Sequence, residues 1–141
     1  MSGLFIPAVR ATLPEGWFAK ESTTLLAGDG QANVIASSEP LDPSIDPYSY
    51  AEVQGDLLRT EFNEYHEFDF GPHLIFGGRP GYIRDFSWRP PDGVEVRQIQ
   101  LYYAEGGRGY TATGTTPSSE FSRFEEQLRG CLHGIRLEFQ A

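Results

Sequence analysis

Cysteine is almost missing from this chain. Cys131 stands alone among 141 residues, which excludes a disulfide framework and a thiolate metal site. Positive charge is scarce too: Lys and Arg number 11 against 20 Asp and Glu, for a net charge of −9. Without a Lys/Arg stripe to neutralise phosphates, nucleic acid is not an expected partner. No run of about 18 apolar residues occurs, so direct membrane insertion is not expected either. The N-terminus, Met1 to Pro7, lacks a basic stretch followed by a long apolar one, and a cytoplasmic chain is the expectation.

Aromatic side chains are plentiful, with 10 Phe, 7 Tyr and 2 Trp, while 22% of residues are charged. That balance describes a folded protein rather than a disordered one. A chain of this length encloses one core without staples, so one domain over residues 1–141 is expected.

Leu4 to Val9 is a short apolar segment, and Leu13-Pro14-Glu15-Gly16-Trp17 is a turn signature. Residues 18–26 and 32–37 read as paired strands around the turn-rich Ala27-Gly28-Asp29-Gly30. Asp46-Pro47 starts a helix, with Asp46 as cap and Pro47 at the first helical position. Tyr50, Val53, Leu57, Leu58 and Phe62 then form one apolar stripe. Gly55 in its middle costs up to about 1 kcal/mol relative to Ala, which implies a close neighbour. Strand-like stretches follow at roughly 67–70, 74–76, 81–88, 94–103 and 110–115. A second helix opens near Pro117, carries Phe121, Phe124, Leu128, Leu132 and Ile135, and ends at Gly134. This mixed order predicts an α+β fold: a single antiparallel twisted sheet with helices packed on one face.

Catalytic patterns are missing. His66 sits among Glu64, Glu67 and Asp69, but alternation splits these between two faces, so a solvated acidic edge strand is the reading rather than a metal site. His73 and His133 belong to no ligand pattern. The glycine-rich 77–81 and 106–109 lack the Lys and following helix of a phosphate loop and read as turns. Cys131 and His133 are two apart on a helix and do not face each other, leaving Cys131 as a half-buried structural thiol. Thr111, Thr113 and Thr115 share a strand face with no base beside them and read as good strand formers. No catalytic residue, metal or cofactor is assigned, and a non-enzymatic binding module is the expectation.

The strand from Val94 to Tyr103 divides by alternation. Glu95, Arg97, Ile99, Leu101 and Tyr103 suit a helix-covered core. Val94, Val96, Gln98, Gln100 and Tyr102 mix apolar area with amides, on a face that either meets water or meets a partner. Asn33, Ile35 and Ser37 make a similar mixture on the earlier strand. Such a surface suits an apolar partner helix, because small and polar side chains permit close approach and supply hydrogen bonds.

Several elements together carry a family resemblance. They are Gly78-x-Pro80-Gly81-Tyr82-Ile83-x-Asp85-Phe86-x-Trp88, the pair Arg97-Gln98, and Thr111-x-Thr113-x-Thr115-Thr116-Pro117 before a Phe/Leu helix. With Pro14-Glu15-Gly16-Trp17 and the strand from Ala32 to Ser37, their order resembles the DcrB-related superfamily and its PsbP-like fold. Within that superfamily the chain is similar to the Eag-type chaperones of type VI secretion, from about Phe5 to Leu137. The resemblance implies a dimeric cytoplasmic chaperone that shields the N-terminal transmembrane helices of a secreted effector of Rhs or PAAR type. It implies that Asn33, Ser37 and Gln98 hydrogen-bond to the client helix and that Ile35 and Val96 supply apolar area; Thr24 and Gln100 join them as partner-binding residues. Near Leu57 the family often carries a polar helix residue, and here the position is apolar. A DcrB-related module that binds a small lipid or other apolar ligand is the alternative, and an adaptor working through a sheet edge a third reading.

Overall fold

The computed structural model describes residues 11–137, so the apolar segment Leu4 to Val9 lies outside the described residues. Six strands and two helices follow in the order β1 (Glu21–Leu26), β2 (Asn33–Pro40), α1 (Pro47–Glu61), β3 (His66–Ile75), β4 (Arg79–Trp88), β5 (Val96–Glu105), β6 (Arg108–Pro117) and α2 (Phe121–His133). The strands form one sheet in the order β1-β2-β6-β5-β4-β3, every neighbouring pair antiparallel. The expected single antiparallel sheet is therefore present. Residues 67–70 and 74–76, which read as separate strands across Gly71-Pro72, are one strand, β3, at the sheet edge. Proline is tolerated there because an edge strand has no neighbour on one side to receive its missing N–H.

The helices do not share a face, and here the structure departs from the sequence expectation. On one side α2 buries Phe121, Phe124, Leu128 and Leu132 against Val34, Ile99, Leu101 and Ala112. On the other side α1 buries Tyr50 and Ala51 against Tyr102 and Ala104. The apolar residues of β5 alternate, Ile99 and Leu101 facing one way and Tyr102 and Ala104 the other. Each side can therefore take a helix.

Local chemistry fixes α1. The Asp46 carboxylate accepts a 2.7 Å hydrogen bond from the Ser49 amide, and Pro47 opens the helix. The stripe expected on this helix is only partly its buried face: Tyr50, Ala51, Gly55 and Leu58 are buried, whereas Val53 and Leu57 are exposed. The reason is Arg84. Its guanidinium, 1% exposed, lies beneath the helix, donating to Ala51 O at 3.2 Å, to the Tyr102 hydroxyl at 2.8 Å and to Glu67 at 3.0 Å. It also sits 4.1 Å from the Phe70 ring centroid. A Cβ on Gly55 would stand 2.5 Å from Arg84 Nη2, so only glycine lets the helix come this close.

A second arginine pins the other face. Arg97 makes a bidentate pair with Asp85 at 2.6 and 3.0 Å, and its guanidinium lies between the rings of Phe68 and Phe121, at 3.8 and 4.1 Å. Arg97 thus ties α2, β4 and the β3 edge together, which assigns a structural task to one half of the Arg97-Gln98 pair.

Candidate partner-binding face

α1 lies over β4 and β5, leaving β6, β2 and β1 uncovered by any described helix on that side. All seven residues expected to bind a partner project to this side. Register places Thr24 opposite Ile35, Ile35 opposite Thr113, Asn33 opposite Thr115, and Ser37 opposite Thr111. Across β5 and β6, Gln98 pairs with Thr115 and Gln100 with Thr113. Val96 lies opposite Trp88 at the end of the face. The sequence had therefore grouped residues that the topology brings together.

The side chains are held in place by one another. Trp88 Nε1 donates to Gln98 Oε1 at 2.8 Å, and Gln98 Nε2 donates to Thr115 Oγ1 at 2.8 Å. Gln100 Nε2 donates to Thr113 Oγ1 at 2.9 Å, while Gln100 Oε1 accepts from the Tyr102 hydroxyl. Ser37 and Thr111 share a hydrogen bond of 2.8 Å. Each glutamine amide carries two N–H donors and a carbonyl with two lone pairs. One donor and one lone pair remain on each after these contacts. Asn33 Oδ1 is sheltered and accepts nothing from the described residues.

Apolar area borders this polar floor. Ile35 is 39% exposed within it, Leu26 is 71% exposed at its β1 side, and Leu57 of α1 is 47% exposed. The helix flank carrying Tyr48 and Arg59 faces β3 and β4, with Tyr48 against Tyr82 and Arg59 near Glu67. Leu57 and Gln54 lie on the opposite flank, toward the uncovered strands.

Sequence reading missed the three threonines and Trp88 as parts of this face. The signal was present: once the two-residue turn Gly106-Gly107 is located, register alone sets Thr113 and Thr115 beside the two glutamines. Burial sets the electrostatics at the covered end. The Tyr102 phenol is pushed well above its ordinary range by desolvation, and Tyr50 moves the same way for the same reason, with Glu39 adding to it. Cys131 lies on the far side of the sheet, half-buried, its thiol raised by burial. His73 and His133 meet edge to face at 5.2 Å, a pairing that sequence did not anticipate. Among the described residues, no group of three or more His, Cys, Asp or Glu could hold a metal ion, and no helix is long and apolar enough to cross a membrane.

The architecture is that of the PsbP-like fold, a single antiparallel sheet with helices packed on it. No family model and no curated protein matches the chain. Solved structures do. PA94 from Pseudomonas aeruginosa, a protein of unknown function, superposes with a TM-score of 0.77 at 13% identity, over 91% of this chain and 90% of its own. LpqN of Mycobacterium tuberculosis, involved in cell envelope biogenesis, matches at 0.56 and 13% identity, over 72% of this chain and 60% of its own. Cyanobacterial PsbP from Synechocystis matches at 0.55 and 8% identity, over 77% and 76%. At these identities the likeness concerns the fold.

Proposed function

We propose that this protein is a non-catalytic chaperone of the DcrB-related, Eag-like kind. It shields the apolar N-terminal helices of a type VI secreted effector of Rhs or PAAR type in the cytoplasm, working as a homodimer. The observation that carries this reading is the half-covered sheet. Strands are about 4.8 Å apart, so β6, β2 and β1 span about 10 Å between their outer axes, the width of one α-helix. A client helix laid beside α1 would complete the layer that α1 begins.

The chemistry of the floor supports the same occupant. Serine, threonine and asparagine let a backbone approach closely, and the unused amide and hydroxyl groups can bond polar groups on an apolar helix. Ile35, Leu26 and Leu57 supply the apolar contact. The void beneath α2, lined by Ile75, Ile99 and Leu132, measures about 10 Å³, too small for an acyl chain, so a small lipid would have to take the cleft of about 170 Å³ beside β1 instead.

The test is affinity capture of the protein from its native cells, with identification of what is bound by mass spectrometry, for the parent chain and for Gln98→Ala. The expected result is one large protein with hydrophobic N-terminal helices, retained less by the variant although its fold is intact. Recovery of lipid or of nothing by the parent chain would reject the chaperone reading. Equal retention by the variant would remove Gln98 from the contact.

A further inference from the structure

The two edges of the sheet are treated differently by the sequence. β3 is blunted: its register with β4 shifts between Glu67 and Asp69, Pro72 within it has no N–H to offer, and His66, Glu67, Phe68 and Asp69 are exposed along it. Bulges, prolines and charges are the devices that stop an edge from accepting another strand. β1 has none of the first two. It pairs with β2 in unbroken register from Glu21 opposite Ser38 to Leu26 opposite Asn33, and Glu21 is its single charged residue. Among the described residues β2 is the only strand paired with it, and the backbone groups on its outer side have no strand partner among them.

A cleft of about 170 Å³ opens beside this edge on the α2 side, lined by Leu25, Ala27, Ala32, Val34, Leu128 and Cys131 among others. α2 lies over β2, β5 and β6, which leaves the β1 margin of that face unfilled. A strand added to an edge gains main-chain hydrogen bonds and sends alternate side chains to one face, where a pocket can read them. We propose that the β1 edge and this cleft form a second docking site, which takes an extended segment of a partner protein as a seventh strand. The segment has aliphatic side chains at alternate positions, pointing into the cleft, and a Lys or Arg at the end that meets Glu21.

Charge selects this occupant over a second copy of the chain. Glu21 is exposed and in no ion pair among the described residues, and a second copy pairing β1 with β1 would set no cation across from it, because Glu21–Leu26 carries no Lys or Arg. A cationic residue placed across from Glu21 is favoured, and a like charge disfavoured. The site is independent of the client-helix reading, because that helix would lie on the opposite face of the sheet.

Cys131 makes the test direct, since it lines the cleft and is the only cysteine. The probe is the peptide acetyl-Lys-Thr-Val-Thr-Val-Thr-Lys-amide, whose valines share the cleft face with a lysine at each end, so that one lysine meets Glu21 in either strand direction. At saturation it is expected to slow the reaction of Cys131 with a disulfide reagent by about fivefold or more, as occlusion of the cleft requires. The fluorescently labelled peptide should lose its anisotropy change in Gln127→Trp, where an exposed α2 residue is enlarged to fill the cleft. An unchanged Cys131 rate at millimolar peptide would overturn the proposal. So would slowing of Cys131 by concentrating the protein alone, with light scattering reporting a dimer, because the edge would then belong to a second copy.

Discussion

Replacing Gly55 by alanine separates two opposed effects in one experiment. Gly55 lies within α1, where alanine is intrinsically better by about 1 kcal/mol, so a glycine with free space around it would be stabilised by the change. Here the added Cβ would stand 2.5 Å from Arg84 Nη2 and 2.8 Å from Arg84 Cζ. The guanidinium cannot swing aside freely, because it is fixed by Ala51 O, the Tyr102 hydroxyl and Glu67. Overpacking a fitted site costs about 1–3 kcal/mol, and loosening a buried hydrogen bond costs about 1–3 kcal/mol more. The net expectation is a destabilisation of about 1–5 kcal/mol, read as a lower urea midpoint at unchanged slope and a Tm lowered by roughly 4 °C for each kcal/mol.

The double variant Gly55→Ala with Arg84→Met locates the cause. Arg84→Met alone should be strongly destabilising, since it deletes the buried anchor. In its presence Gly55→Ala should cost little or become favourable, a coupling of about 1 kcal/mol or more. A Gly55→Ala protein as stable as the parent, or more so, would refute the argument that Arg84 dictates this glycine.

Two further outcomes are expected. Tyr102, Tyr50 and Tyr65 have phenols raised above the ordinary value of about 10, chiefly by desolvation. A raised folded-state pKa favours the neutral form, so this stability is intact below about pH 10 and is lost as pH rises beyond it; absorbance titration near 295 nm should show these three ionising only as the protein unfolds, and their ionisation together with the exposed phenols would contradict the burial. Ile35→Asp, at a site 39% exposed in a strand paired on both sides, should cost about 1–2 kcal/mol in apolar burial and β propensity while abolishing capture of an apolar client helix, and retained capture by the folded variant would remove Ile35 from the face.

Much of this architecture was legible because it rests on short-range rules. Asp46-Pro47 marked the start of α1, the Phe/Leu spacing marked α2, and period-2 alternation separated Ile99 and Leu101 from Gln98 and Gln100. The helices' sides were not legible. Placing both helices on one face followed from treating the amide-bearing side of β5 as free, whereas Tyr102 and Ala104 on that same side accept α1. The apolar stripe on α1 misled for a related reason. Val53 and Leu57 fit helical spacing, yet the buried seam runs through Ala51 and Gly55, because a buried arginine, not an aliphatic layer, lies below. A charged residue in that role is set by tertiary pairing with Glu67 and Tyr102, which no local pattern announces. The threonines of β6 were underread because β propensity explained them sufficiently until the register of the hairpin put them beside the glutamines.

The floor of the uncovered half-sheet is ordered before any partner arrives, and the order is supplied from beneath α1. Arg84 donates to the Tyr102 hydroxyl, Tyr102 donates to Gln100, and Gln100 donates to Thr113. A glutamine that merely faced water would keep its rotamer freedom, worth up to about 1.5–2 kcal/mol. Holding it flat lowers the ordering cost of a later contact, which is what preorganisation contributes to binding. Tyr102→Phe tests this link, because Tyr102 is fully buried and cannot touch a partner. The change deletes one oxygen, removes an acceptor from Arg84 and frees Gln100, at a cost of about 1–3 kcal/mol in stability. If the chain of bonds positions the floor, client-helix affinity should fall several-fold below the melting range, and Gln100→Ala should weaken binding no further in the Tyr102→Phe background. Additive losses in the two variants would mean that Gln100 holds its place without Tyr102, and the floor would then be ordered by the sheet alone.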